Sequence, residues 1–361
     1  MNSDVVIIGG GIAGFLSAYE LLQHGVKAMI VERGETGHES SWAGGGILSP
    51  LYPWRYPSPV TDLAKWGQVR YEALAHTLYK QSGIDPEWLK SGLLFLDTAE
   101  QDQAQAWAAE FDVNLELIDS KRISSLAPAL KSSAQAIWMP EVAQMRNPRL
   151  MQSLKQFLLK AGIDIRENSP VTGLNIVENR ITGVKTPNGE IVANKVILTG
   201  GAWSRDILGD ELGADLQVEP VRGQMLIFKT KPGLLSTMVL DEGKYLIPRK
   251  DGRILIGSTL EYVGFQNVTT PEALDELESA AYDMLPALAQ YPIEKHWAGL
   301  RPGSPAGIPY IGPHPQVAGL FVNTGHFRNG VVLGLASAHL LADLVCEHSP
   351  EINPTPYRLN R

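Results

Sequence analysis

The chain has 361 residues, of which 44% are apolar and 19% charged, and it carries a formal net charge of -8. This length exceeds what one hydrophobic core usually serves, so two domains or one domain with an insertion are expected. The acidic balance and the lack of a Lys/Arg run argue against a nucleic-acid partner. Cys346 is the single cysteine and no HExxH spacing occurs, so neither an intrachain disulfide nor a metal site is expected.

The apolar run from Val5 to Leu22 has the hydropathy of a signal peptide or a membrane span. However, the preceding residues Asn2, Ser3 and Asp4 carry no positive charge, and glycines interrupt the run. A buried strand followed by a helix is the better interpretation, and a cytoplasmic protein is expected.

The first motif is a strand, a glycine-rich loop and a helix. The β-branched run from Asp4 to Ile8 enters Gly9-Gly10-Gly11-Ile12-Ala13-Gly14, and an apolar helical pattern then extends to Leu22. In this spacing the first glycine permits a tight turn, the second lets backbone N–H groups approach a pyrophosphate, and the third allows close helix–strand packing. The helix N-terminus then favours the phosphate charge.

The second strand strengthens this interpretation. Lys27 to Val31 is apolar, and Glu32 follows it, 18 residues after Gly14. An acid at this place can accept hydrogen bonds from both hydroxyls of an adenosine ribose. The whole unit predicts a dinucleotide-binding fold, without separating FAD from a nicotinamide cofactor.

Three later segments favour FAD. The stretch from Ser40 to Ser49 is rich in glycine and serine, which suits a backbone lying against a flat ring, although a surface loop has the same composition. A meander with turns at Glu178-Asn179 and Asn188-Gly189 precedes the strand and glycine pair in KVILTGGAWS, residues 195–204. A strand, Gly319 to Asn323, runs through a loop into the apolar helix Val331 to Cys346, whose N-terminus would stabilise negative charge on a reduced ring. This last segment alone is also compatible with an ordinary strand–helix connection.

No second GxGxxG follows a later strand. We therefore expect no NAD(P)H beside the flavin, so electrons would come from a substrate and leave to oxygen or another acceptor.

These segments resemble the D-amino-acid oxidase superfamily, and within it the glycine oxidases of thiamine biosynthesis. The resemblance rests on GGGIAG, SSWAGGGIL, KVILTGGAWS, YLIPR, WAGLRPGSPAGIPYIG and GHFRNGVVL, and it covers nearly the whole chain. It implies an α/β fold with a Rossmann-like FAD-binding domain, made of a parallel sheet and a β-meander, and an α+β substrate-binding domain with an antiparallel sheet. The FAD-binding domain would comprise residues 1–85, 145–215 and 295–361, and the substrate-binding domain residues 86–144 and 216–294.

The motif and the resemblance together assign positions to non-covalent FAD. Val171 would hold the adenine through its backbone, and the segment from His326 to Val332 would line the flavin. The full set of expected FAD contacts is Gly9, Gly11, Ile12, Ala13, Gly14, Glu32, Arg33, Ser40, Ser41, Gly45, Gly46, Ile47, Val171, Gly200, Gly201, Trp203, His326, Phe327, Arg328, Asn329, Gly330, Val331 and Val332.

The resemblance places the substrate carboxylate on Arg301, with Tyr245 and Arg328 completing the pocket. A guanidinium can bind a carboxylate through two parallel hydrogen bonds, although a structural ion pair is the commoner fate of an arginine. Tyr245 alternates with Ile247 on a strand face, which fits either a carboxylate contact or a half-buried strand tyrosine. No acid–base residue is nominated, because the flavin performs the electronic step while the protein orients the substrate.

The chain departs from the family pattern in two places. Glycines occupy 44–46 where alanines are common, and the segment from Leu51 to Pro57 is unusually aromatic for a lid. With Tyr245 and Leu260, these aromatics would narrow the pocket, so glycine, sarcosine or small D-amino acids are the expected substrates.

The predicted activity is oxidative deamination through an imine that hydrolyses to glyoxylate or a keto acid, with oxygen giving hydrogen peroxide. The imine would serve thiamine thiazole synthesis. Two alternatives stay open, namely a D-amino-acid dehydrogenase with a quinone acceptor and a non-catalytic flavin-binding subunit of a complex. The resemblance implies a homo-oligomer, often a tetramer, without membrane insertion.

Overall fold

A computed structural model describes residues 4–361, and Asn2 and Ser3, whose lack of charge entered the interpretation of the N-terminus, lie outside this range. The helices α1 to α10 are Ile12–Gln23, Ser40–Ala43, Ser58–Gln68, Tyr71–Ser82, Gln101–Glu110, Ser120–Leu126, Asn147–Lys160, Ser204–Leu212, Pro271–Met284 and Gly330–Val345. The strands β1 to β19 are Val5–Ile8, Ala28–Val31, Leu89–Lys90, Leu93–Phe95, Glu116–Asp119, Gln135–Met139, Ala143–Gln144, Ile165–Arg166, Gly173–Val177, Arg180–Thr186, Gly189–Val192, Lys195–Leu198, Glu219–Lys229, Met238–Asp241, Lys244–Pro248, Arg253–Gly257, Ile293–Gly303, Tyr310–Pro313 and Leu320–Thr324. Short 3-10 helices are Pro53–Arg55, Gly201–Trp203, Pro286–Gln290, Pro305–Gly307, Phe327–Asn329 and Thr355–Tyr357.

The first sheet has six strands in the order β18-β19-β12-β1-β2-β8. All neighbours pair in parallel except β18, which runs antiparallel to β19. Strand β1 lies inside the sheet and is buried on both faces, as its run of Val and Ile residues predicts. The predicted strand–loop–helix unit is confirmed.

The two faces of this sheet are covered differently. Val5 and Ile7 pack with the apolar faces of α1, α7 and α10, whereas Val6 and Ile8 pack with the three-stranded meander β9–β11. Alternate residues of a strand point to opposite faces, so one short apolar strand contributes to both cores. The predicted meander is confirmed, with its first turn at 178–179. Its second turn lies at 187–188, one residue before the predicted Asn188-Gly189 pair, because Gly189 already pairs with Thr186.

The second sheet has eight strands in the order β17-β13-β16-β15-β14-β4-β6-β5. Its pairs are antiparallel apart from β14 with β4. Strands β15 and β16 form a hairpin that turns at Asp251-Gly252, where Gly252 adopts a φ of 90°. Helix α9 covers one face of this sheet.

Strand β17 bears on the predicted division of the chain. It spans Ile293–Gly303 and pairs along its length with β13, so the expected boundary at residue 295 falls inside a strand of the antiparallel sheet. The division into two domains stays a prediction.

The connections that matter most for a binding site leave the carboxyl ends of the parallel strands. Strand β1 leads through Gly9–Gly11 into α1, and β19 leads through residues 325–329 into α10. In open α/β sheets ligands bind at this edge. Among residues 4–361, no helix has the length and apolarity needed to cross a bilayer.

Candidate active site

A single elongated cavity of about 400 Å³ begins at this edge of the parallel sheet and ends at the antiparallel sheet. Most of the predicted site residues line it, although they come from segments far apart in the sequence. They are Gly9, Gly11, Ile12, Ala13, Glu32, Arg33, Ser40, Ser41, Gly45, Gly46, Ile47, Val171, Gly200, Gly201, Trp203, Tyr245, Arg301, His326, Phe327, Arg328, Gly330 and Val331.

Three predicted contacts, Gly14, Asn329 and Val332, are not among the lining residues. A Cβ on Gly14 would lie 2.0 Å from the carbonyl oxygen of Gly9, so this glycine serves helix–strand packing, as the motif requires. Asn329 and Val332 are buried behind the lining.

The N-terminus of α1 has a side-chain cap from another segment. Ser41 Oγ accepts a hydrogen bond of 2.9 Å from the backbone N–H of Ile12, and a Cβ on Gly11 would lie 3.1 Å from the same oxygen. The serine-rich loop therefore touches the first turn of the helix where a pyrophosphate would bind.

Glu32 holds the glycine loop. Its Oε2 accepts 2.7 Å from Gly10 N–H, and its Oε1 accepts 3.0 Å from Gly34 N–H. Each carboxylate oxygen keeps a second lone pair, so the predicted ribose contact is compatible with these bonds.

At the same end, Trp203 is stacked between two residues. The Arg33 guanidinium lies 3.6 Å from the centre of its ring, and the Phe265 ring is 5.5 Å away at an interplanar angle of 26°. Val171 lines this end of the cavity.

The loop Gly44–Ile47 forms the middle wall, and it depends on a residue that the sequence reasoning missed. Arg249 Nη2 donates 2.7 Å to Gly45 O, and its Nη1 donates 2.7 Å to Gln144 Oε1 and 3.0 Å to Met145 O. Burial lowers the pKa of Arg249 to about 10, so its guanidinium stays charged at neutral pH. The only local signal was an arginine at the end of an apolar strand.

Glycine is required in this wall. Gly46 adopts a φ of 80°, and a Cβ there would lie 2.0 Å from Met145 O; a Cβ on Gly45 would lie 2.6 Å from Ile247 Cδ1. The carboxamide of Asn147 lines the cavity beside this loop, and neither its nitrogen nor its oxygen has a hydrogen-bond partner within residues 4–361. Unpaired buried polar atoms facing a cavity fit a ligand that carries donors and acceptors.

His326 lies at the N-terminal side of α10. Its Nε2 is 2.9 Å from Ser337 Oγ, and that hydroxyl donates to Gly334 O, so Nε2 carries the proton. Burial lowers the pKa of His326 to about 4, and the ring is therefore neutral at physiological pH.

Arg301 is the cation at the far end of the cavity. Its Nη1 donates 3.2 Å to the carbonyl oxygens of Arg222 and Thr259, and its Nη2 donates 2.7 Å to Ser258 Oγ. No carboxylate within residues 4–361 forms an ion pair with it, so the alternative of a structural ion pair is wrong for this part of the chain. Burial, opposed by Tyr245 and reinforced by the charge of Arg328, lowers the pKa of Arg301.

Arg222, unlike Arg301, is held in an ion pair. Arg222 forms an ion pair with Glu261, and Glu261 Oε1 also accepts 2.9 Å from Gln224 Nε2. The sequence reasoning had not singled out this network, which fixes the carbonyl of Arg222 that Arg301 contacts.

Tyr245 faces the same end of the cavity. Its side chain is buried, and its hydroxyl lies 3.8 Å from Met225 Sδ, a long contact with a weak acceptor. Gly257 makes room for it, because a Cβ there would lie 2.7 Å from the hydroxyl. Arg301, Tyr245 and Arg328 thus line one end of one cavity, as predicted, and their roles stay predictions.

One expectation about pocket size was wrong. Leu260 is 45% exposed and does not line the cavity, because it lies beyond the end of β16, where Ser258 and Thr259 bond to Arg301.

The expected narrowing by aromatic residues is found only in part. Tyr52 is buried against Phe95, and its hydroxyl accepts 3.1 Å from Gly243 N–H. Tyr56 lies beside Gly307 and close enough to Arg301 to affect the pKa of that guanidinium. Of residues 51–57, only Leu51 lines the cavity.

Strand β17 joins the two halves of the site. Trp297, Gly299 and Arg301 share one strand face, because alternate residues point the same way. Trp297 Nε1 donates 3.0 Å to Ala43 O, and a Cβ on Gly299 would lie 2.5 Å from Ala43 Cβ. One face of β17 therefore contacts Ala43, next to the Gly44–Ile47 loop, and also carries the Arg301 guanidinium that lines the cavity.

These features fit FAD. The glycine loop and two helix N-termini suit its pyrophosphate and ring, the glycine wall leaves room for a flat group, and Asn147 offers unpaired donors and acceptors.

Comparisons with known proteins agree with this site. The family model for FAD dependent oxidoreductases matches residues 4–344. A glycine oxidase of Pseudomonas aeruginosa is 48% identical over 359 residues, which cover 99% of this chain and 98% of the relative. The bifunctional protein ThiO/ThiG of Synechocystis sp. is 30% identical over 96% of this chain, and the match covers 52% of that longer protein.

Among solved structures, the glycine oxidase of Geobacillus kaustophilus has a TM-score of 0.94 at 29% identity. The superposition covers 100% of this chain and 99% of that structure.

Proposed function

Because the chain belongs to the FAD-dependent oxidoreductase family, we propose that it oxidises the carbon–nitrogen bond of glycine, sarcosine or a small D-amino acid. The observation that carries this proposal is the guanidinium of Arg301, which lines the cavity and forms no ion pair within residues 4–361. A largely desolvated cation beside a cavity is stabilised by an anionic ligand. The curated relatives named glycine oxidase support a small amino acid as that ligand.

Arg301 would bind the substrate carboxylate with two parallel hydrogen bonds, and Tyr245 would donate a third from its hydroxyl. These bonds would orient the substrate so that its Cα–H bond faces the Gly44–Ile47 loop. When bound, FAD supplies the hydride acceptor. The imine product would then be hydrolysed by water.

The charges of Arg301 and Arg328 also favour the reactive form of the substrate. Nearby positive charge lowers the pKa of an ammonium group, and the ion pairs within residues 4–361 include no acid bound to either arginine. The free amine, whose lone pair assists hydride loss, is thereby favoured without a dedicated base.

The size of the substrate is argued from the residues around Arg301. Tyr245 and Met225 line this end of the cavity together with Ser258, and the bulk of the two larger side chains favours a small substrate.

The proposal is tested by mixing the FAD-loaded protein with glycine, sarcosine and D-alanine in turn, while flavin absorbance and peroxide are recorded. Bleaching with peroxide formation is expected for glycine or sarcosine. Bleaching without peroxide would replace oxygen by another acceptor, such as a quinone, and support the dehydrogenase alternative. A flavin that no amine reduces would overturn the proposal and favour a non-catalytic subunit.

We further propose that FAD is bound without a covalent link, since Cys346 does not line the cavity and His326, which does, is buried with its Nε2 bonded to Ser337. Trichloroacetic acid should release all of the flavin into the supernatant; flavin that stays with the precipitate contradicts this.

A role in thiamine biosynthesis is supported by the relative in which the matching region is fused to a second part, under the name ThiO/ThiG. Deleting the gene should create a requirement for thiamine or its thiazole precursor, and growth without either would exclude the role.

A further inference from the structure

A buried carboxylate, that of Asp343, lies near the C-terminal ends of α1 and α10, outside the cavity, and accepts no hydrogen bond within residues 4–361. Asp343 of α10 is 6% exposed. Its Oδ1 lies 3.8 Å from His24 Nε2, and its Oδ2 lies 3.7 Å from His339 Nε2. Both distances exceed a hydrogen bond.

A third histidine completes the group. The rings of His24 and His348 are 4.8 Å apart, and one ligand atom from each of His24, Asp343 and His348 lies within 4.8 Å of the others. The backbone N–H of His348 donates 2.8 Å to Asp343 O, which keeps His348 beside the carboxylate.

These separations suit ligands around one ion. A transition metal binds imidazole nitrogen and carboxylate oxygen at about 2.0–2.2 Å, so two ligands of the same ion lie roughly 3–4 Å apart. Two imidazoles and a carboxylate are a donor set preferred by zinc and its first-row neighbours, whereas Mg²⁺ and Ca²⁺ prefer oxygen ligands alone.

The surroundings favour a cation. The group lies at the C-terminal ends of α1 and α10, where helix dipoles are negative, and Glu20 and Glu351 lie next to it through His339. Two cations oppose this: Lys195, whose Nζ donates to Val345 O and lies 3.6 Å from Glu347, and Arg70, whose Nη2 lies 3.4 Å from Glu351.

We propose that His24, Asp343 and His348 bind one first-row transition metal ion of the zinc class. The ring of His339 is held by Glu20, whose Oε2 lies 3.0 Å from its Nδ1, and by stacking on Trp66 at 4.5 Å. Its Nε2 lies 3.7 Å from Asp343 Oδ2, so His339 supports the carboxylate on the side away from His24. The bound ion joins the C-terminal ends of two helices whose N-termini border the cofactor cavity. This site is independent of the proposed oxidase activity.

The test uses the FAD-loaded protein without an affinity tag, freed of metal with EDTA and titrated with Zn²⁺ by calorimetry at pH 7.5. One equivalent should bind and raise the Tm. His348→Gln, a change at an exposed residue that should leave folding intact, should weaken Zn²⁺ binding about tenfold or more, as should His24→Gln. The matched control is His76→Gln, an exposed histidine of α4, which should leave the affinity unchanged.

Three outcomes would overturn the proposal. They are a lack of saturable Zn²⁺ binding, an unchanged affinity in the protein carrying both His24→Gln and His348→Gln, and Ca²⁺ binding as tight as that of Zn²⁺, which would indicate general attraction to acidic groups. None of these results depends on whether the protein oxidises an amino acid.

Discussion

The guanidinium of Arg301 occupies the space that a side chain on Gly223 would fill. A Cβ on Gly223 would lie 2.0 Å from Nη2, 2.1 Å from Nη1 and 2.2 Å from Cζ of Arg301. The two residues lie on the paired strands β13 and β17, so the glycine on one strand allows the arginine on the other to lie flat against the sheet.

Gly223→Ala should therefore displace Arg301 without touching the cofactor end. A displacement of about 1 Å at a positioning group reduces catalysis by roughly a hundredfold, and we expect kcat/KM for glycine to fall by that order. Steady-state kinetics and the flavin content of the purified protein test this together. Gly173→Ala, where the added Cβ would meet only Lys185 Cδ at 3.6 Å, is the control. Equal kinetics for the two variants would contradict the prediction.

Arg301→Lys should keep the charge and lose the planar pair of donors. Since a lysine cannot reproduce two parallel hydrogen bonds, we expect kcat/KM to fall roughly a hundredfold, with normal FAD content. This corresponds to a loss of about 3 kcal/mol of transition-state stabilisation. Arg253→Lys is the control, because Arg253 pairs with Glu294 on the same sheet outside the cavity. Full activity with lysine at 301 would show that charge alone binds the substrate.

Arg249→Met should weaken FAD binding. The change leaves the carbonyls of Gly45 and Met145 without their donor, and each lost bond to a charged group is worth about 1.5–3 kcal/mol. Flavin fluorescence during titration of the apoprotein measures the affinity, which should fall tenfold or more. Arg253→Met, at the exposed end of the same hairpin, should bind FAD normally; equal losses in both variants would point to the hairpin as a whole.

His326 should make stability depend on pH. Its pKa is about 4 in the folded chain and about 6.5 when exposed, so the unfolded state binds the proton more tightly. The contribution of the neutral His326 to the free energy of unfolding is fully present above pH 6.5. It falls by up to about 3 kcal/mol as the pH decreases toward 4. Urea unfolding of the wild type and His326→Gln between pH 7 and 4.5 should give a shallower slope for the variant. Parallel slopes would contradict this, and His76→Gln serves as the control.

The sequence predicted the parts of the fold that rest on local signals. The Gly9–Gly14 loop and the meander were found because a glycine or asparagine at a fixed offset marks their turns, although the second meander turn lies one residue earlier than predicted. Arg301 was singled out through the resemblance, and it lies within β17.

What could not be predicted depends on contacts between distant segments. Arg249 bonds to a carbonyl 204 residues earlier in the chain, and no pattern near Arg249 indicates that partner. Leu260 lies beyond the end of β16 and is exposed, because the carbonyl of the preceding Thr259 is bonded to Arg301 of another strand. In both cases tertiary geometry overrides the local pattern.

Strand β17 has a consequence for engineering the site. Trp297, which donates to Ala43 O, and Arg301 lie four residues apart on one strand. The spacing between the residue that holds the loop and the proposed carboxylate-binding arginine is therefore set by the repeat of a single backbone. Substitutions of Met225 or Ser258 are therefore the better way to change substrate specificity, because they alter the cavity lining and leave β17 intact.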